Sequence, residues 1–553
     1  MTDESSNKRA SLPDSIHELL IEVEDAFEKA VIKPLSSFIV GTIAAMSGIL
    51  FGFDASIAAA AGDACNEHFG ITNDPFLMGL WVGCVPLGAL FGALFGGKVA
   101  NSMGRRKGLL LNAVLFIGGI LLASMAPTFN IFIAARLLMG VAIGNSAVIT
   151  PMYMAEVAPP ESRGRILFMY QLSIVVGILI SFIVGVGVDT FVTSTDISWR
   201  IMIAIGLVPA TIFLLGMLKM PDSPRWLIEQ ELHKKGHEVL LRMMGKYEAR
   251  DTFADIHNAA IRKEKVSISA IFSRTIFPVI LLGVCLQFFQ QATGINADMY
   301  FGPEIFRQGG FDKSASMWAQ VAMGVVNLVA TITSIFMVDK LGRRKLMMIG
   351  VSGIVLMLCA QAYLFHRFEE SKKPSSQTTS VSASHVTSDS AGQRSTLPNA
   401  ATAVGHKAMS DNYRLGQAKT VADETPTKTT GSKTITYLIF FSILLYIVFF
   451  AISAGPLVWL MISEVFPIRF KGIGMSIAVA SNWFMDYFVS QLFPIMKQAL
   501  GMPTTTLIYA GFTTFGLALA FKFLPETKGV PLEKIEENIY AGKPLREIGQ
   551  PKK

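Results

Sequence analysis

The chain has little charge. Asp, Glu, Lys and Arg make up 16% of its 553 residues, against about 25% in soluble domains, which excludes a water-soluble globule of this length. Cysteine is scarcer still. Of four, Cys84, Cys285 and Cys359 fall inside long apolar runs and Cys65 in an expected outer loop, a distribution that offers neither a disulfide framework nor metal-ligand spacing. No Asn-x-Ser/Thr sequon occurs, so N-glycosylation has no acceptor. The sequence also has no Walker loop, nucleophile elbow or metal cluster, which removes the common enzyme classes and leaves no cofactor to expect. No short apolar stretch ends at a small-residue cleavage site, so the expected amino terminus is uncleaved and cytosolic.

What the chain does have is hydrophobic length. Hydrophobic residues make up 51% and mean hydropathy is +0.47. Twelve runs of about 20 residues are each long enough to cross a hydrocarbon core of about 30 Å. The expected fold is an all-α membrane protein with twelve transmembrane helices in two six-helix bundles. The expected divisions are a cytosolic segment 1–35, a first bundle 36–220, a cytosolic linker 221–275 with short helices, a second bundle 276–370 and 434–524, and a cytosolic tail 525–553. Residues 371–433, rich in Ser and Thr, read as a disordered outer insert. Net charge is +7, but the positive residues concentrate in alternate loops, as cytosolic connections do. The partner they imply is a lipid bilayer, and nucleic acid is not expected.

One stretch within the spans carries unusual polarity. Phe288 to Phe301 contains Gln290, Gln291, Asn296 and Asp298 at the end of an otherwise apolar run. Amides facing lipid lack partners, so they turn inward, either as glue between helices or as a substrate site. On an ideal helix Gln287, Gln290, Gln291, Gly294 and Asp298 share a stripe, whereas Asn296 lies off it. Gly294 can break the helix just before Asn296, and broken helices build binding sites in membrane proteins. Two charges are also buried by sequence position. Asp54 in the first span needs a partner, and Arg136 in the fourth is the obvious candidate.

The loops repeat. Asn101 to Lys107 (Asn-Ser-Met-Gly-Arg-Arg-Lys) matches Asp339 to Lys345 at an offset of 238 residues, and Glu156 before Arg163-Gly164 matches Glu464 before Lys471-Gly472 at 308. Pro525-Glu526-Thr527 echoes Pro221-Asp222-Ser223. The offset jumps where the insert lies, so the chain reads as two six-span halves in parallel repeat.

These motifs together, in order over residues 36 to 530, resemble the sugar porter family of the major facilitator superfamily. The resemblance implies alternating access around a central monosaccharide site, most simply for a hexose such as glucose. It implies that Gln171, Gln290, Gln291, Asn296 and Asn327 bond sugar hydroxyls. Trp459 would wall the ring, and Asn482 and Trp483 would line the same pocket. Tyr300 and Phe301 would close the outer side. Arg105, Arg106, Glu156, Arg163, Arg343, Arg344 and Glu464 would form a cytosolic latch. An acid in the first span resembles the proton-coupled members, so Asp54 with Arg136 implies H+/sugar symport, with an uncoupled sugar or polyol uniporter and a sugar sensor as the rivals. The chain departs from the family at Asn101, Lys471, Ala142 and Ala55, and carries the extra acids Asp298 and Asp486, which leave pentoses, other hexoses and polyols such as inositol open. The resemblance also implies a plasma-membrane protein that functions as a monomer.

Overall fold

The computed structural model describes residues 13–29, 35–159, 162–261, 268–372, 430–467 and 469–549. Inside hydrocarbon a backbone must satisfy its own hydrogen bonds, so apolar runs of this length become helices. The first half comprises α2 (Ser37–His68), α3 (Pro75–Met103), α4 (Arg105–Ser124), α5 (Phe129–Val157), α6 (Arg163–Phe191) and the pair α7 (Thr195–Ala204) and α8 (Leu207–Leu218). The second comprises α12 (Phe277–Ala292), α13 (Ile295–Gln308), α14 (Lys313–Leu341), α15 (Arg343–Lys372), α16 (Thr430–Ile452), α17 (Ala454–Val465) and α18 (Lys471–Phe523). Among the described residues, eleven stretches are long and apolar enough to cross a membrane. The 53-residue α18 would be roughly 80 Å long if straight; it reverses at Gly501, where φ is 78°, and crosses twice. Eleven stretches with one counted twice give the twelve expected crossings.

Glycine lets these helices approach closely. A Cβ on Gly144 of α5 would lie 1.9 Å from the Ala89 carbonyl oxygen of α3, so the two backbones touch where any side chain would force them apart. The duplication is visible at the loops. Gly104 and Gly342 end α3 and α14 with φ of 87° and 85°, a conformation glycine adopts without strain. An acid from the end of each half then caps the next helix: Asp222 accepts from the Arg106 backbone N–H (3.3 Å), and Glu526 from those of Arg343 and Arg344 (3.0 and 3.1 Å).

Three helices fill the linker: α9 (Pro224–Glu229), α10 (His233–Met243) and α11 (Lys246–Ile261). The amino-terminal helix α1 (Asp14–Lys29) docks on them, with Leu20 buried against Ile228, Leu240 and Phe253. Its buried Glu24 accepts from His237 Nε2 (3.1 Å) and from Arg250 Nε (2.5 Å). A last helix, α19 (Leu532–Tyr540), follows the final crossing.

Two expected boundaries differ. Cys65 lies inside α2, fully buried: the helix runs on past the apolar run to His68, where Asn66 Oδ1 accepts from Trp81 Nε1 at 3.0 Å and satisfies the polar end. The expected insert 371–433 is shortened at both ends, because α15 runs to Lys372 and α16 begins at Thr430. Residues 373–429 lie outside the described residues.

Candidate functional site

The site is built where helices break. Gly294 takes a left-handed conformation (φ 84°) between α12 and α13, and a Cβ there would come within 2.7 Å of the Tyr509 ring. Ser453 interrupts α16 and α17 in the same way, with non-helical φ −131° and ψ −94°. The two breaks meet. Gln290 Nε2 donates to the carbonyls of Ala454 (2.8 Å) and Gly455 (3.0 Å). Asn482 Nδ2 donates to Gln290 Oε1 (2.7 Å) and to the Gln287 carbonyl (3.1 Å), and Gln291 Nε2 donates to Asn482 Oδ1 (3.1 Å).

The network is incomplete. Gln291 Oε1, both amide atoms of Gln287 and Trp483 Nε1 are buried without a hydrogen-bond partner among the described residues. Each such group costs about 1–3 kcal/mol, so helix glue alone is a poor account of the cluster, whereas a ligand rich in hydroxyls could answer donors and acceptors alike. The Trp483 ring meets Phe51 of the first bundle edge-on at 5.2 Å, which puts the cluster at the boundary between the halves.

Of the other expected residues, some contact the same stretch of α18 and some do not. Asp486 is fully buried one turn beyond Asn482. It accepts from Tyr300 Oη at 3.1 Å and from Ser490 Oγ at 3.4 Å, and the Asn296 amide interacts with the same carboxylate. Phe301 stacks on Phe493 at 5.0 Å. Asn327 is buried, while Gln171, Trp459 and Asp298 are half-buried; none of these side chains bonds to the amide cluster among the described residues. Gln287 lies on the sequence stripe yet is not among the expected ligands. Phe51 is flagged by no sequence signal.

In the first bundle, Arg136 Nη1 donates to Asp54 Oδ1, both residues being 1% exposed. The guanidinium also lies 5.9 Å from the Trp81 ring centroid. Asp54 Oδ2 and Arg136 Nε have no hydrogen-bond partner among the described residues, so the pair is tight but not saturated.

The arginine loops close on themselves. Arg105 pairs with Glu156 (2.8 Å) and Arg343 with Glu464 (3.0 Å). Arg106 donates to the carbonyls of Met217 and Leu218 (3.2 and 2.5 Å), and Arg344 to that of Phe521 (2.9 Å). The side chain of Arg163 lies outside the described residues. Every one of these bonds stays within one bundle. At the opposite end the bundles are joined: Arg307 pairs with Asp63 (2.5 and 2.9 Å), Lys313 with Asp189 (2.6 Å), and Gln491 Nε2 donates to the Phe76 carbonyl (2.9 Å). The bundles are therefore closed against each other at that end.

The family model described as "Sugar (and other) transporter" matches residues 40–383 and 378–539. The galactose-proton symporter of Escherichia coli K12 is 30% identical over 520 residues, covering 93% of this chain and 96% of the relative. The major myo-inositol transporter IolT of Bacillus subtilis is 29% identical over 503 residues, covering 90% and 93%. The structure of the proton:xylose symporter XylE bound to 6-bromo-6-deoxy-D-glucose superposes with a TM-score of 0.68 at 25% identity, covering 91% of this chain and 99% of XylE. The broken helices, the buried amides and the duplicated loops thus belong to a sugar transporter, and the chain is a member of the sugar porter family of the major facilitator superfamily.

Proposed function

We propose that this transporter carries a monosaccharide, a hexose such as glucose, together with a proton, by alternating access across the plasma membrane, with both termini in the cytosol and the monomer as the working unit. The observation that carries the reading is the unsaturated amide cluster of Gln287, Gln290, Gln291 and Asn482 in the second bundle, together with the buried Asp54–Arg136 pair in the first. Neutral amides suit hydroxyls because each hydroxyl both donates and accepts, and the Trp483 and Trp459 rings offer faces for sugar C–H groups. With the arginine loops cytosolic, the closed end faces outward and the conformation is inward-facing.

Coupling follows from the pair. While Asp54 is ionised it holds Arg136; a proton on Asp54 removes the charge that fixes the guanidinium and changes the relative energy of the two bundle arrangements. The bonds of Arg105 to Glu156 and of Arg343 to Glu464 keep each bundle rigid as it rocks. The names of the galactose-proton symporter and of the xylose symporter support coupling, and that of the myo-inositol transporter supports a polyol as the second reading of the substrate. The uncharged acceptors of the amide cluster suit either.

The test is uptake of a panel of hexoses, pentoses and myo-inositol in transporter-deficient cells, with and without a proton uncoupler. Accumulation of one member that collapses with the uncoupler is the expected result. Uptake indifferent to both uncoupler and external pH makes the protein a uniporter.

A further inference from the structure

Asp486 is a buried carboxylate that the coupling scheme does not use. Unlike Asp54, it makes no ion pair among the described residues; it is held by the Tyr300 hydroxyl, Ser490 and Asn296. Two of those donors sit on α13. That helix has only 14 residues, is bounded by Gly294 (φ 84°) and by Gly310 (φ 98°), and is kinked at Phe301 (φ −118°, ψ 15°) ahead of Pro303. A short helix with a hinge at each end is free to swing against the longer helices around it. Its far end carries Arg307, which ties it to Asp63 of the first bundle. Asp486 sits on α18, the helix whose Gln491 reaches the Phe76 carbonyl of the first bundle. The Tyr300 hydroxyl lies within electrostatic reach of Asp54 and Arg136, so it faces the space between the bundles.

We propose that Asp486 is a positioning residue for the gate: its hydrogen bond from Tyr300 latches α13 against α18 when the outer seam is closed, and the latch breaks when the seam opens. The residue acts through the helix and not through the substrate. A carboxyl oxygen accepts the Tyr300 hydroxyl here, and an amide in its place keeps one acceptor oxygen at the same position. The inference rests on the alternating-access reading. Failure of that reading would appear as a wild-type protein that moves no sugar, whereas failure of the latch would appear in a protein that does.

Electron spin distances across the seam test it without any ligand. Labels go on Phe191→Cys and Leu500→Cys, which are exposed at the closed ends of the two bundles, in a background carrying Cys285→Ser and Cys359→Ser. Tyr300→Phe keeps the ring and removes only the hydroxyl. The expected result is a rise of about fivefold in the ratio of open to closed seam, the effect of losing one buried hydrogen bond. Asp486→Ala should give a similar rise, Asp486→Asn, which keeps an acceptor oxygen, a smaller one, and Tyr300→Phe combined with Asp486→Ala no more than either alone. An unchanged distance distribution in Tyr300→Phe overturns the latch, and so do additive effects in the double variant. A third contrary result is sugar affinity lost equally from both sides with the seam distances unmoved, which would make Asp486 a substrate ligand instead.

Discussion

Replacing Asp54 by Asn separates two jobs that one carboxylate performs. The side chain stays nearly isosteric, but Arg136, 1% exposed, loses its one charged partner among the described residues. Breaking a buried pair by removing one member costs about 3–5 kcal/mol, whereas replacing both members can be neutral. Asp54→Asn should therefore lower thermostability in detergent markedly, and adding Arg136→Met should restore most of it. Transport should respond differently. At one proton per sugar, a pH step of one unit supplies about 1.4 kcal/mol, which supports about tenfold accumulation. In proteoliposomes with an imposed pH step, wild type should approach that ratio. Asp54→Asn and the double variant should both stop at equal concentrations inside and out, with sugar exchange surviving in the stabilised double variant. Accumulation by Asp54→Asn equal to wild type would refute the coupling role, and unchanged thermostability would refute the reading of Asp54 as the charge that stabilises buried Arg136.

Within the amide cluster, Asn482→Ala strips partners from Gln290 and Gln291 at once and should weaken apparent sugar affinity at least tenfold; an unchanged KM would return the cluster to helix glue. Gly144→Ala places a methyl on the Ala89 carbonyl and should cost about 1–3 kcal/mol or more, while Gly118→Ala in α4, with nothing within 4 Å, should stabilise by about 0.5–1 kcal/mol; melting of the two variants by size-exclusion chromatography compares them directly. Docking of α1 should weaken in acid. Burial holds His237 below the ordinary imidazole value; burial alone would raise Glu24, but bonds from Arg250 and His237 outweigh it and hold Glu24 low. The docked form thus binds fewer protons, so docking is complete above about pH 6.5 and is lost as pH falls through the lowered value of His237, then through that of Glu24. Limited proteolysis of α1 across this range should show faster release in acid, and His237→Gln should flatten the profile.

Much of this architecture was legible in the sequence because it is periodic or repeated. Twelve apolar runs specify twelve crossings, and the match of Arg105-Arg106 with Arg343-Arg344 specifies two halves. The break at Gly294 was readable too, since a glycine after an amide stripe is a point where a helix can end. What the sequence did not disclose are long-range partners. Nothing in the spacing pairs Tyr300 with Asp486, Phe51 with Trp483 or Gln290 with the Ala454 carbonyl, because these contacts join segments about 160 to 430 residues apart whose registers are set by packing. The caps made by Asp222 and Glu526 were hidden for a similar reason. Their motif signals a repeated loop, but the N–H groups it serves belong to another loop more than 100 residues earlier. Cys65 was misplaced because an apolar run marks the hydrocarbon thickness, while α2 continues beyond it to a polar end.

The ion pairs of Asp63 and Asp189 and the contact of Gly79 with the Gln491 backbone carry a pharmacological consequence. On the proposed inward-facing reading, a polar inhibitor reaches the site from the compartment opposite those contacts.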